Sequence, residues 1–210
     1  MTPEEILYQV GIVPVIKMDD AAHAVPLAKA LARGGLPAAE ITFRSAAAAD
    51  SIRAIAKGCP ELFVCAGTVL TPQQAQEAVD AGAKAVISPG TNLETVRWCV
   101  KNGVPVIPGC ATPSEVESNM REGLKLVKLF PAEVVGGTAM LKALAGPYAA
   151  MKFMPTGGVK PGNVQDYLRL ASVTACGGTW IVPGELLSGE NFDKIEQLAR
   201  EAAILRDQVR

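Results

Sequence analysis

A short apolar run rich in β-branched residues, followed by a helical pattern, recurs from one end of the chain to the other. Such runs predict strands at 12–18, 38–43, 62–69, 84–88, 104–108, 125–130, 152–156 and 173–177. Helices are expected from Asp19 or Asp20 to about Arg33, where Gly34-Gly35 stops it, and from Ser45 to about Lys57. Thr71-Pro72 and Thr112-Pro113 open two more, because proline suits the first helical position. Further helices are expected from about Asn92 to Lys101 and over 137–145, 161–170 and 191–207. Uniform alternation implies parallel strands joined by helical crossovers. About eight such units predict an α/β fold, a closed (β/α)8 TIM barrel, and 210 residues is near the short limit for one. The competing architecture is an open doubly wound sheet, but no Gly-x-Gly-x-x-Gly fingerprint follows the first strand. No linker is visible, so residues 1–210 are expected to form a single domain. Residues 2–9 predict a short extra N-terminal helix covering the bottom of the barrel.

Composition narrows the function classes. Hydrophobic residues make up 49% of the chain and aromatic ones 5%, which suits close helix–sheet packing. Net charge is −1 and no basic tract is present, so nucleic acid is not an expected partner. No long apolar segment predicts a membrane span, and Met1-Thr2-Pro3-Glu4-Glu5 lacks the features of a signal peptide. The cytoplasm is the expected compartment. Cys59, Cys65, Cys99, Cys110 and Cys176 are scattered without CxxC spacing and read as free thiols, not metal ligands. His23 is the only histidine, which excludes a histidine-based triad or a multi-histidine metal site. It reads as a surface or packing residue. No metal or other cofactor is expected.

Lys128 is the anomaly in this pattern. It interrupts Leu126-Val127-Lys128-Leu129-Phe130-Pro131, otherwise a buried strand. Burying a protonated ammonium is costly, whereas a neutral amine costs less and is a nucleophile toward carbonyls. The alternative is an edge-strand lysine whose stem packs while its head reaches water. The run alone leaves both open. Barrel chemistry sits at the C-terminal ends of the strands. Those ends carry Lys17, Glu40, Arg44, Thr68, Ser88-Pro89, Pro108, Lys128, Thr156 and Thr179.

Alternation along the second strand puts Glu40, Thr42 and Arg44 on one face and Ile41 and Phe43 on the other. A carboxylate in the barrel mouth can move protons, and a guanidinium fork suits a substrate carboxylate. The two are also able to form an internal ion pair. The same parity places Lys128 inward with Leu126 and Phe130, and Thr68 inward beside Ala66. Lys17 ends the first strand and is expected at the mouth, where it would bind an anionic group. Thr156-Gly157-Gly158 and Gly177-Gly178-Thr179 follow strands seven and eight. Loops at those positions often bind phosphate through backbone N–H groups.

These motifs resemble the class I 2-keto-3-deoxy-6-phosphogluconate / 4-hydroxy-2-oxoglutarate (KDPG/KHG) aldolases. The likeness is carried by Val13-Pro14-Val15-Ile16, Glu40-Ile41-Thr42-Phe43-Arg44, Ala66-Gly67-Thr68-Val69-Leu70, Ile87-Ser88-Pro89-Gly90 and Ile107-Pro108-Gly109. It continues through Lys128-Leu129-Phe130-Pro131-Ala132-Glu133, Pro155-Thr156-Gly157-Gly158 and Gly177-Gly178-Thr179-Trp180, in family order. The resemblance implies a homotrimeric (β/α)8 barrel that cleaves a phosphorylated keto-acid to pyruvate and glyceraldehyde 3-phosphate. It implies a Schiff base on Lys128, acid/base duty for Glu40 and a substrate site including Arg44, Thr68, Pro89 and Thr156. Gly157, Gly158, Gly178 and Thr179 would hold the phosphate. The family often has serine where Thr179 stands. Phosphogalactonate aldolases are similar too, but Arg44 favours the phosphogluconate-type substrate. A sugar-phosphate epimerase or a non-catalytic phosphosugar-binding barrel is the reading from another class.

Overall fold

Proline and glycine decide where many elements of this chain begin and end. The computed structural model describes residues 1–210. Helix α1 (Pro3–Val10) opens on a capping box: the Thr2 hydroxyl accepts the Glu5 N–H and the Glu5 carboxylate accepts the Thr2 N–H. It buries Leu7 and Val10 and leads directly into β1 (Ile12–Ile16). The next helix was expected from Asp19 or Asp20. Asp20 does cap a turn, by accepting the Ala22 N–H, but that turn (Ala21–His23) is 3-10. The α-helix α2 (Ala24–Arg33) starts only afterwards. Pro26 explains the break, because its nitrogen has no hydrogen to donate to Ala22 four residues earlier.

The alternation continues through β2 (Ala38–Thr42), α3 (Ala48–Gly58), β3 (Phe63–Gly67), α4 (Pro72–Asp80), β4 (Ala85–Ile87) and α5 (Leu93–Lys101). The expected fifth strand is divided into β5 (Val106–Ile107) and β6 (Gly109–Cys110). Pro108 lies between them with no N–H for a ladder, while its carbonyl accepts the Lys128 N–H at 2.9 Å. Then come α6 (Pro113–Arg121), β7 (Leu126–Leu129), α7 (Gly137–Ala145), β8 (Lys152–Phe153), α8 (Val164–Leu168), β9 (Cys176–Gly178), α9 (Gly184–Ser188) and α10 (Phe192–Asp207). Helix α9 was not anticipated, and α8 is shorter than the expected 161–170. Pro155 likewise shortens β8, leaving one bridge between Thr156 and Gly177 beyond it.

Every strand pairing is parallel. One sheet runs β5-β4-β3-β2-β1-β9 and the other β6-β7-β8. The bridges Phe153–Val173 and Thr156–Gly177 join β8 to the β9 segment. The result is an α/β fold built on a parallel, curled sheet. Its strands are buried on both faces, as β1, β2 and β3 are throughout. Leu27, Leu31, Ile52 and Ile55 from α2 and α3 are fully buried among the apolar core residues. Each such side chain contributes roughly 1.5–3 kcal/mol by leaving water, which fixes the strand ends that carry the polar groups. No helix is long and apolar enough to cross a membrane.

Candidate active site

Cavities open at both ends of the strands. The largest cavity, about 650 Å³, lies at the N-terminal ends of the strands beside α1. Its cations are already engaged there: Lys84 donates to the Pro60 and Leu62 carbonyls, Arg206 to Val10 and Gly35, and Arg210 to Tyr8 and Val173. A smaller cavity of about 240 Å³ opens at the other end and is built from chemically distinct groups. It gathers Glu40, Arg44, Thr68, Pro89, Lys128, Thr156, Gly157, Gly158, Gly178 and Thr179 from strand ends far apart in sequence.

At its floor the Lys128 Nζ donates to Glu40 Oε1 at 3.1 Å. The two side chains are only 6% and 1% exposed. Lys128 is therefore not an edge lysine with its head in water. Nor is its setting purely apolar, as the sequence run suggested. Its companions are a carboxylate on one side and the Phe130 ring, 5.3 Å from Nζ to centroid, on the other. Glu40 Oε2 and Thr156 Oγ1 are buried without a protein partner. Buried polar atoms are nearly always paired, so two unpaired ones beside a buried ion pair mark a surface built for a ligand.

Strand register explains how the groups converge. Val15 pairs with Glu40 and Glu40 with Cys65, so these three point the same way. Thr42 is in register with Gly67, on the same face. A Cβ on Gly67 would lie 2.3 Å from Glu40 Oε1, so only glycine leaves room for the carboxylate. Burial, reinforced by Glu40, pushes the Cys65 thiol well up and keeps it protonated and inert. Thr42 Oγ1 donates to the Ile16 carbonyl at 2.9 Å and accepts Arg44 Nε at 3.1 Å. The remaining guanidinium nitrogens have no protein partner, so Arg44 offers its outer edge to the cavity and makes no ion pair with Glu40.

Thr68 reaches the cavity for a reason the alternation argument missed. Ala66 is in register with Ile41, on the helix-facing side, so simple continuation would turn Thr68 outward. The backbone instead enters the left-handed region at Thr68, with φ of 57°, and redirects the side chain into the cavity. Lys17 departs from expectation. It is not a lining residue; its ammonium pairs with Asp19 at 2.7 Å, and both side chains are largely exposed. His23 is remote as well, packed edge-on to Phe192 and 3.2 Å from Glu190. The structure adds Val15, Thr42, Phe130, Val159 and Gly177 to the lining. The parity that placed Glu40 and Phe130 inward was sufficient to find Thr42; nothing local pointed to Val159.

The glycine turns form the far wall. Gly157 and Gly158 both have positive φ, and the N–H groups of Gly157, Gly158 and Thr179 donate to no backbone carbonyl. No cluster of three His, Cys, Asp or Glu side chains is positioned to hold a metal.

Around a buried lysine–glutamate pair that the sequence did not predict, the cavity gathers Arg44, Thr68 and the paired glycine turns singled out by the motifs. Residues 4–198 match the family described as KDPG and KHG aldolase. The chain belongs to this family. It is 48% identical to the KHG/KDPG aldolase of Escherichia coli (strain K12) over 199 residues, 95% of this chain and 93% of that protein. It is 45% identical to the 2-dehydro-3-deoxy-phosphogluconate aldolase of Treponema pallidum (strain Nichols) over 197 residues, 94% of both. Among solved structures, a KDPG aldolase from Legionella pneumophila, holding pyruvate captured at low pH as a covalent carbinolamine intermediate, superimposes with a TM-score of 0.92. That match is 37% identical and covers 95% of this chain and 97% of the other. The KDPG aldolase of Zymomonas mobilis ZM4 with 3-phosphoglycerate gives 0.90 at 34% identity, over 96% and 95% of the two chains.

Proposed function

We propose that this chain is a class I aldolase that cleaves 2-dehydro-3-deoxy-6-phosphogluconate to pyruvate and glyceraldehyde 3-phosphate. It also cleaves 4-hydroxy-2-oxoglutarate to pyruvate and glyoxylate. The observation that carries this reading is the buried Lys128–Glu40 contact at the floor of a polar cavity. Moving one proton across 3.1 Å leaves Lys128 neutral and Glu40 protonated. That supplies the nucleophile without stranding a charge in a low-dielectric site.

Nζ then adds to the substrate C2 carbonyl to give a carbinolamine. Loss of water, with Glu40 moving the protons, gives the protonated imine. The imine draws electrons from the C3–C4 bond as the C4 hydroxyl proton passes to the Glu40 carboxylate, directly or through a water. The aldehyde leaves, and an enamine remains on Lys128. Glu40 returns the proton to C3, and hydrolysis of the imine frees pyruvate and the amine. Glu40 Oε2, with no protein partner, is the free oxygen for this shuttle.

Arg44 and Thr68 hold the substrate carboxylate, while Pro89 and Thr156 line the reacting centre. Gly157, Gly158, Gly178 and Thr179 receive the phosphate, through the N–H groups of Gly157, Gly158 and Thr179 and the Thr179 hydroxyl, which takes the place of the serine frequent in the family. The same reading treats residues 1–210 as one domain whose two sheets close into a (β/α)8 barrel. Continuity of β5 with β6 across Pro108 and the β8–β9 bridges support it. The chain works as a homotrimer; exposed Leu70 and Val134, near strand ends on the site's side, are apolar surface available for contacts between subunits.

Incubation with pyruvate and borohydride, followed by peptide mass mapping, is expected to place the adduct on Lys128. An adduct on Lys17 instead, or cleavage activity lost to a chelator without any adduct, rejects the mechanism. Cleavage rates on the phosphogluconate and phosphogalactonate substrates separate the main reading from its nearest relative. Arg44→Lys keeps the charge but loses the fork held by Thr42. It should raise KM for both substrates by about 10- to 100-fold, the worth of one charge-assisted contact, and change kcat less. An unchanged KM in steady-state assays removes Arg44 from the carboxylate site.

A further inference from the structure

The Gly157-Gly158 turn is gripped from behind by residues outside the cavity lining. The Ala132 N–H donates to the Thr156 carbonyl at 2.8 Å and the Glu133 N–H to the Gly157 carbonyl at 3.0 Å. Gly158 packs directly on the Glu133 side chain: a Cβ there would lie 2.5 Å from Glu133 Cγ. The Glu133 carboxylate in turn accepts a hydrogen bond from the Tyr167 hydroxyl. Tyr167 is fully buried on α8, so its hydroxyl is a fixed point. Three residues before α8's Asp166, Asn163 donates to the Gly158 carbonyl at 3.1 Å while its own Oδ1 accepts the Lys160 N–H. The helix that follows the turn therefore reaches back to both sides of Gly158.

The left-handed conformations at Gly157 and Gly158 are not self-sustaining, since glycine visits many others at little cost. Something has to select them. A carboxylate lying next to the turn is also a liability if a phosphate is to bind there, because like charges repel. A tyrosine donor meets both needs: it anchors the carboxylate and withdraws charge from the oxygen it binds.

We propose that Glu133 and Tyr167 are positioning residues for the phosphate arm. By locking the carboxylate behind Gly158 they hold the turn's N–H groups toward the cavity, and so set the preference for phosphorylated over unphosphorylated aldol substrates. The inference rests on the aldolase reading above. It assigns a task to two residues that touch neither substrate nor Lys128.

The test is steady-state kinetics of full-length Tyr167→Phe, Glu133→Ala and Glu133→Gln on 2-dehydro-3-deoxy-6-phosphogluconate and on 4-hydroxy-2-oxoglutarate, which has no phosphate. Tyr167→Phe keeps the buried ring and deletes one hydroxyl. It should raise KM for the phosphorylated substrate about five- to tenfold while both constants for 4-hydroxy-2-oxoglutarate stay within about twofold. Glu133→Ala should behave the same way, and Glu133→Gln, which retains an acceptor oxygen, should recover most of the lost affinity. An unchanged KM for the phosphorylated substrate overturns the proposal. So does an equal loss on both substrates, which would mean a merely structural role. Borohydride trapping of pyruvate on the unaltered protein separates the two levels. If Lys128 traps and the variants show no split, only this inference falls. If Lys128 does not trap, the aldolase reading falls and takes the inference with it.

Discussion

Lys128→Met leaves no measurable aldol cleavage, a loss of at least about 10⁴-fold, because the covalent route through the imine no longer exists. A coupled assay for released pyruvate reads this, and borohydride then traps no adduct. The same change makes a second, less obvious prediction about stability. Methionine fits the lysine stem, so packing is nearly conserved. What is lost is the partner of Glu40, which is 0% exposed. Breaking a buried ion pair from one side costs about 3–5 kcal/mol when the remaining charge stays. Denaturant unfolding of Lys128→Met should therefore show a clearly lower midpoint than that of the unaltered protein. Adding Glu40→Gln removes the stranded carboxylate and should recover part of the loss. A Lys128→Met protein as stable as the parent would mean that Glu40 is not buried against this lysine in solution.

Much of this arrangement was legible in the residues, and the parts that were not have specific causes. Strand and helix order followed from the recurring apolar runs. Parity alone placed Glu40, Thr42, Lys128 and Phe130 on the cavity side, where the structure has them. The errors fall where one residue overrides the period. Pro26 delays α2, Pro108 divides the fifth strand, and Pro155 shortens β8, each by removing a backbone donor. Thr68 reached the cavity although its parity argument was wrong, since a positive φ at one position resets side-chain direction. Lys17 had the right strand end, but Asp19, two residues on, captures its ammonium. The Glu133–Tyr167 contact joins residues 34 positions apart and carries no periodic signature. The lysine–glutamate contact spans 88 positions, and only the register of separate strands brings it together. Before that contact, burial alone had to account for a neutral amine at Lys128. With it, a carboxylate is at hand to take the proton.

Glu40→Gln tests that change directly. Glutamine keeps the shape of the side chain and an oxygen able to accept from Lys128 Nζ, now 3.1 Å from Glu40 Oε1. It cannot accept or return a proton. General acid–base groups contribute typically about 10²–10⁴-fold, so kcat for aldol cleavage should fall by about that amount, while KM changes much less. Three steps need the proton shuttle: carbinolamine dehydration, deprotonation of the C4 hydroxyl and protonation of the enamine at C3. They can be separated. Exchange of pyruvate methyl hydrogens in deuterated water, followed by proton NMR, reports the C3 step without any cleavage. It should fall together with kcat if Glu40 serves both carbons. Borohydride trapping of pyruvate should still label Lys128, but more slowly, because dehydration to the imine also loses its catalyst. Exchange preserved at the parent rate while cleavage collapses would confine Glu40 to the C4 hydroxyl and require another donor at C3; Thr156 Oγ1, buried and unpaired in the same cavity, is the group to alter next.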